Sequence, residues 1–455
     1  MHWRIPATLG LLTGLMAPAA LAGDFDLPPD VGLGPMDVAD TATEPEAETP
    51  PARSDTLVLE GRFTRAEPRR DDAQQSFRLS AQWMGSAALG RDLALRFNLR
   101  GRATRTEGEG FVFDEDVRFD VQELALNWQA RPGLSFDLGR VNLRNGVAQG
   151  FNPTDWFKAD SLVTSDSADP GDRRLERLGT LMIAGQASLG ADLLSFGYRP
   201  RITASGDDVL AGHDVYGLNL DRTNPSEAVF LKYAPATGDN INLTASLLVE
   251  DGNPGAGLEI SGAIGQHLVL YAEMFSQKRL SLAAAGMPGG SAGLRDDLGA
   301  DEGRGWRHQA ALGGTWALPE TIVGARDISV SLEYHYNGAG LSARQLQALA
   351  GAAGADLGQA GALRGFAATR QEPLAREQIF TRVAWNDLWN DADLSLIGFY
   401  VPADHSGLVQ ISAAFPLNDN AEISLRASRS FGDDTSAYGA NPTRTTAQVV
   451  YRYTF

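Results

Sequence analysis

The sequence predicts an all-β chain, a transmembrane antiparallel β-barrel of about 18 strands with short helices in its extracellular loops. Three observations predict it: an export-type N-terminus, hydrophobic alternation of period two that recurs from Thr56 to the end, and a last segment that places aromatic residues on one strand face.

Met1 to Ala22 carries one basic residue, Arg4, an apolar stretch over Leu9 to Met16, and the small-x-small run Ala20-Leu21-Ala22. This is the pattern of a secretory signal peptide over residues 1–22. The chain has no cysteine, which excludes disulfides, thiolate zinc sites and a lipid-anchored start. No later apolar run approaches the roughly 18 residues that a membrane-spanning helix needs. An exported chain of this kind either stays in water or crosses a membrane as a closed barrel.

The formal net charge is -18, and residues 23–54 hold eight acids, one base and six prolines with few large apolar side chains. Such a segment cannot bury enough surface to fold, so it is expected to be a disordered acidic leader in the periplasm, available to a periplasmic partner. The remainder is still acidic and carries no basic footprint for nucleic acid. The six histidines (His2, His213, His267, His308, His335, His405) are scattered, with no pair at helical spacing. No His-Glu-x-x-His, phosphate loop or Gly-x-Ser-x-Gly elbow occurs, so no catalytic residues, no metal site and no cofactor are expected, and the chain is not expected to be an enzyme.

From Thr56 the alternation is repeated. Leu57, Leu59, Gly61 and Phe63 interleave with Val58, Glu60, Arg62 and Thr64; Phe77, Leu79, Ala81 and Trp83 interleave with Arg78, Ser80, Gln82 and Met84. Many such segments run about ten residues, the length of a tilted membrane strand, whereas soluble strands average about half that. Trp83, Trp128, Trp316, Tyr334, Tyr336, Trp385 and Tyr400 sit near segment ends, as interfacial girdles do. Nineteen candidate strands can be drawn, the eighth over 213–220. Even counts close with both termini on one side, and the alternation of short and long links fails only between about 177 and 235. One candidate there is surplus or missing, which gives 18 strands, with 16 the next choice. The barrel spans 55–455.

The face opposite the apolar set holds Arg62, Arg78, Arg96, Arg100, Arg102 and Arg118 on the first four strands, and Arg426 and Arg452 on the last two. Closure pairs the first strand with the last, so these arginines form one arc of pore wall. Glu273, Glu333 and His335 face inward elsewhere. A basic arc opposite acidic groups sets a transverse field that favours small anionic or zwitterionic solutes. Plain polar packing of a barrel interior is the alternative reading of the same residues.

The long links are 143–176, 278–304, 338–375 and 431–444. In the third, Ser342 to Gln345 reads as a capping box opening a helix, and the Ala/Gly-rich run 350–361 as mobile. In the first, Asn152-Pro153-Thr154-Asp155 has the order of a helix start, with Asn152 as N-cap and Asp155 in the first turn, followed by Trp156 and Phe157. A loop with that apolar face is expected to lie against the barrel wall or in the lumen, as a constriction.

Two resemblances follow from these residues. Val449, Tyr451, Tyr453 and Phe455 form one face of a last strand that resembles the terminal signal of bacterial outer-membrane barrels, which implies recognition of Phe455 by the barrel-insertion machinery. Gly139-Arg140, Gly146 and Asn152-Pro153-Thr154-Asp155 resemble a segment of porin-like Gram-negative barrels of the DUF1302 type, with Arg144-Asn145-Gly146 where those proteins carry Trp-Gly. Glu333 to Gly338 is similar to a strand-end motif of the same barrels. The resemblance implies an outer-membrane barrel, in contact with lipid and lipopolysaccharide, that passes a small solute or an exported molecule. The alternative is a loop-sealed barrel serving as the outer-membrane partner of an export or lipid-transfer system.

Overall fold

A computed structural model describes residues 53–164, 166–203, 215–238, 240–289, 292–300, 303–324, 326–354, 356–389 and 391–455. The signal peptide and all but the end of the acidic leader lie outside the described residues. Eighteen antiparallel strands close into one barrel: β1 (Arg53–Pro68), β2 (Gln74–Ala88), β3 (Leu93–Thr106), β4 (Val117–Arg131), β5 (Leu134–Val141), β6 (Thr180–Leu189), β7 (Asp192–Arg199), β8 (Ala228–Ala234) and β9 (Ile241–Glu250) make one half. The other half is β10 (Asn253–Ile264), β11 (Leu268–Arg279), β12 (Gly305–Ala317), β13 (Asp327–Asn337), β14 (Glu377–Asn386), β15 (Asp393–Val401), β16 (Ser406–Asn418), β17 (Ala421–Phe431) and β18 (Thr443–Thr454). Every strand pairs with its sequence neighbours, and β1 closes on β18 from Val58↔Thr454 to Pro68↔Thr443.

The pleat sets the two faces, because successive side chains alternate across the wall. Leu57, Leu59, Phe63, Leu79 and Val449 are exposed on the outside, while Glu60, Arg62, Arg100 and Gln448 are buried inside. Trp83, Trp128, Trp316 and Trp385 lie toward the end holding the chain's last residue, and Tyr334, Tyr336 and Tyr400 toward the other. Two belts of amphipathic rings thus bracket an apolar band, where a ring's body rests in lipid and its polar edge in headgroups. At the barrel's seam the Phe455 amide donates to the Leu57 carbonyl at 2.9 Å, and the Phe455 ring, packed on Tyr453, remains exposed.

One rim carries the short links, such as 89–92, 132–133 and 190–191; the other carries the long ones, 142–179, 200–227, 280–304 and 338–376. The expected strand over 213–220 does not form. Its described residues belong to the 200–227 loop, where Leu220–Thr223 is a single helical turn. A short apolar alternation there mimics a strand, but its described residues meet a strand backbone at one hydrogen bond, from Phe119 N–H to the Val215 carbonyl, and build no ladder. Likewise the run 350–361 enters a helix over Asp356–Thr369. This helix and those over Ala343–Ala350 and Leu282–Gly286 bury Leu282, Leu341, Leu346, Leu349 and Leu363 in a loop core above the lumen. The Ser342 capping box is present, with Ser342 N–H donating to Gln345 Oε1 at 2.9 Å.

The wall is uneven. β1 to β4 have 14 to 16 residues each, whereas β5 to β8 have 7 to 10. The long loop enters the lumen at this low stretch, between β5 and β6. Above Leu124, the β4 edge pairs with coil instead of a strand: Gly179 N–H donates to the Gln122 carbonyl at 2.7 Å and Phe119 N–H to the Val215 carbonyl at 2.8 Å.

Candidate lumen constriction

Two glycines admit the loop. Gly139, on β5, has φ +133, and a Cβ there would lie 2.4 Å from the Leu124 carbonyl oxygen; Gly146 has φ +93, and its Cβ would lie 2.7 Å from Glu273 Oε2. A side chain at either position would break the approach of backbone to its partner, which is what glycine is for.

The segment 147–154 is fastened by carboxylates of the facing wall. Glu273 on β11 accepts from Val147 N–H (3.0 Å), Ala148 N–H (3.1 Å), Thr154 N–H (2.6 Å) and Thr154 Oγ1 (2.8 Å). Glu333 on β13 accepts from Gln149 N–H (2.6 Å), Gly150 N–H (2.8 Å) and the Tyr271 hydroxyl (2.7 Å), and lies 2.7 Å from His335 Nε2. Glu273, Glu333 and His335 therefore face inward but are fully covered by the loop. They bind backbone amides in a dry setting, where hydrogen bonds to a charged acceptor are strong.

Asn152 to Asp155 form a turn, not the first turn of a helix. A single 3-10 turn follows over Trp156–Lys158. Asn152 does not cap it: its Nδ2 donates to the Ala148 carbonyl, and its Oδ1 accepts from Arg174 Nη2 at 2.8 Å. These two bonds staple the loop to itself and outcompete the capping geometry. Pro153 is buried in the turn, and Asp155 is ion-paired with Arg177, both buried. Trp156 packs on Phe230 of β8 and Phe275 of β11, with ring centroids 5.8 and 5.7 Å apart, and Phe157 on Phe230 at 5.9 Å under the Arg199 guanidinium. Both rings thus face the wall. The Lys158 ammonium donates to the Asn152 carbonyl at 2.5 Å over the Phe151 ring, and burial pulls its pKa down to about 8 against the attraction of Asp155 and Glu372.

The far half of the loop meets the arginines. Asp166 binds Arg62 (2.6 Å) and Arg78, Glu176 binds Arg100 (2.5 Å), and Asp172 binds Arg426. Burial works to raise the Asp166 pKa, but Arg78 and Arg62 hold it below the ordinary value. Arg102 is 3.6 Å from Asp120 and 3.4 Å from the Val163 carbonyl; Arg96 pairs with Asp137 (3.1 Å) and Glu123 (3.4 Å). Arg452, half exposed, is 3.3 Å from Glu60, while Arg118 turns to the carbonyls of Asp114 and Val117 at the loop rim. The structure brings Arg62, Arg78, Arg100 and Arg426 together around the loop. Arg96, Arg118 and Arg452 lie apart from it.

Pattern reading missed the loop carboxylates Asp166, Asp172 and Glu176, which stand with Asp169 among three arginines in 166–177, so that the segment carries little net charge to mark it as the arc's partner. In the ring of 18 strands, β2 and β11 are diametrically opposed. The loop is consequently a strap across the lumen, with amides fastened to Glu273 and Glu333 on one wall and carboxylates fastened to arginines on the other. The 338–376 loop rests on it: Gln371 Nε2 donates to the Lys158 carbonyl, and Asp160 N–H to the Thr369 carbonyl at 2.8 Å. Glu372 holds that loop to β11 through Arg279 (2.5 and 2.9 Å); burial opposes its charge, but Arg279 and Arg370 bring its pKa down to about 2. Between strap, outer loop and the β14 to β1 wall lies a cavity of about 710 Å³. Among the described residues no group of three or more His, Asp or Glu side chains is placed to hold a metal ion.

No protein-family model matches the chain, and no curated protein matches it by sequence. Solved structures do match. Acinetobacter baumannii OccAB1 is similar with a TM-score of 0.52 and 11% identity, over 89% of this chain and 96% of that one. Pseudomonas aeruginosa OccK11 (OpdR) and OpdQ match with TM-scores of 0.50 and 9% identity, over 89% of this chain and 95% and 98% of theirs. At these identities the likeness is one of fold, and the chain has the closed, 18-stranded antiparallel barrel fold of outer-membrane channels.

Proposed function

We propose that the protein is a Gram-negative outer-membrane channel that passes a small anionic or zwitterionic solute through its lumen, with the 142–179 loop as its constriction and no catalytic step. The observation that carries this reading is the strap itself, fixed to opposite walls so that whatever crosses the barrel passes beside it. The fold likeness and the apolar outer band support insertion among lipid and lipopolysaccharide. The exposed Phe455 ring supports delivery by the insertion machinery, and the motif likeness of Gly139 to Asp155 to DUF1302-type barrels points the same way. The wall arginines are matched by carboxylates, so positive potential in the lumen is read as coming from the loop arginines Arg173, Arg222 and Arg364, which line the cavity above the strap. The leader 23–54 is read as a periplasmic tail for a partner, and the packed loop core above the lumen favours, as second reading, a barrel sealed until that partner engages. Reconstitution in planar bilayers separates the two: stepwise conductance with chloride preferred over potassium supports the channel. A silent barrel that conducts only when a partner captured by the leader is added supports the second reading.

A further inference from the structure

The outer wall is hollowed on one side. Across β18, β1, β2, β3 and β4 the membrane face holds an apolar groove of about 1060 Å³, floored at Gly61 and Ala103 and walled by Phe77, Phe119, Tyr451 and Phe455. Its size is at the upper end of the roughly 300–1,000 Å³ of small-molecule sites. Three cations stand beside it on the same outer face. Arg65 shares the face of β1 that carries Gly61 and Phe63, Arg105 the face of β3 that carries Ala103, and Arg429 the face of β17 that carries Leu425. All three are exposed, and among the described residues none makes an ion pair or a hydrogen bond. Arg65 and Arg105 each lie two residues, about 7 Å, beyond a groove residue toward the rim of long loops.

Strand register makes these cations a row. Arg105 is level with Phe63 through Phe77, so Arg65 is two residues higher on β1; Arg65 is level with Ala427 through Ala447, so Arg429 is two residues higher on β17. The tryptophan belt at the opposite end climbs in the same sense from Trp128 on β4 to Trp83 on β2, because Trp83 is level with Leu99 and Val121. Strand tilt therefore brings the three arginines to one height above the apolar band, with neighbouring Cα atoms about 12 Å apart. Against them the same end of these strands presents one outward carboxylate, Glu67, so the row is net cationic. We infer that this face binds the diphosphorylated, multi-acyl glycolipid of the outer leaflet, lipid A, with acyl chains in the groove and phosphates on Arg65, Arg105 and Arg429. A row about 24 Å long outreaches a single phosphate and suits a headgroup that carries two, and the guanidinium fork matches phosphate oxygens. A basic row bordering an apolar surface is also what draws anionic lipid out of a mixed membrane.

The inference rests on the outer-membrane part of the proposed function, not on conduction. The full chain, refolded from inclusion bodies into detergent so that it carries no lipid, is titrated with diphosphoryl lipid A, monophosphoryl lipid A and phosphatidylglycerol in EDTA, and bound lipid is counted by native mass spectrometry. Diphosphoryl lipid A should bind, the other two at least fivefold more weakly. Each of Arg65→Gln, Arg105→Gln and Arg429→Gln should weaken it about fivefold and the triple variant roughly a hundredfold. Gly61→Leu fills the groove with the arginines intact and should weaken it about tenfold; a Cβ there meets Leu79 Cδ2 at 3.7 Å, an ordinary contact, so the strand tolerates the change. Heat-modifiable migration on a gel shows that each variant is folded. No lipid A binding by the wild type, equal binding of the three lipids, or binding unchanged in the triple variant or in Gly61→Leu would each overturn the inference. So would an oligomer of the lipid-free chain that Gly61→Leu dissociates, since a second copy would then occupy the face. Cell fractionation keeps the two readings apart: a chain in the outer membrane without lipid A preference overturns the site alone, whereas a chain absent from that membrane overturns both.

Discussion

Replacing Glu273 by alanine is expected to unfasten the strap and leave the barrel intact. The carboxylate is the acceptor for three backbone amides and one hydroxyl, those of Val147, Ala148 and Thr154, in a place with no alternative acceptor. Each buried donor left unmatched costs about 1 to 3 kcal/mol. The full sum is never reached, because the segment lifts and lets water in once detachment is cheaper than the unmatched state. The expected loss is about 3 kcal/mol in docking, roughly a hundredfold in the opening equilibrium. The strand pairing Glu259↔Glu273↔Ala311 runs through the backbone and survives the change. Hydrogen exchange read by mass spectrometry should therefore show peptides over 147–154 exchanging about a hundred times faster, with β12 unchanged. Unchanged exchange at 147–154 would refute the fastening. Acceleration throughout the barrel would refute its independence from the wall.

Further outcomes follow from the same contacts. Gly146→Ala should loosen the same segment by about 1 to 3 kcal/mol, since a left-handed φ and the Glu273 carboxylate both oppose a Cβ, and the same exchange measurement reads it. Trp156→Ala removes the ring contacts to Phe230 and Phe275 and should cost about 2 to 4 kcal/mol of loop docking, visible as added noise in single-channel current. Glu372 has a folded pKa near 2 against an ordinary 4.5. Its contribution is full above about pH 4.5 and is lost as the pH falls toward 2, so protease resistance of the 338–376 loop should hold at pH 5 and drop below 4. Glu372→Gln should already be protease-sensitive at pH 7 and show little further change on acidification.

The barrel was legible because its determinants are local and repeated. Leu57 to Thr64 shows which face of β1 is wet without reference to any other strand, and the sum of such segments fixes strand number to within one. The surplus candidate at 213–220 shows the limit: period two over a few residues states that a strand could exist, while a strand requires a continuous ladder, and the described residues there meet the β4 edge only at Val215. The strap was legible in half. Trp156 and Phe157 revealed an apolar face in need of cover, but not that Phe230 and Phe275 would provide it, because that contact links residues far apart in the chain. Glu273 and Glu333 looked like acids of an open lumen. Alternation gives the face a side chain is on, and a loop crossing the lumen decides whether that face meets water. For the same reason the arginine arc could be drawn from the strands alone, while its neutralisation by Asp166, Asp172 and Glu176 could not.

The central claim is that the strap sets what passes the lumen, and the most direct test is the conductance of the wild type beside a 147–172 deletion in the same planar bilayer. The deletion removes most of both sets of fastenings and touches no strand. The account predicts small, ion-selective steps for the wild type and markedly larger, weakly selective steps for the deletion. Equal conductance and selectivity in the two, or silence in both, would contradict it.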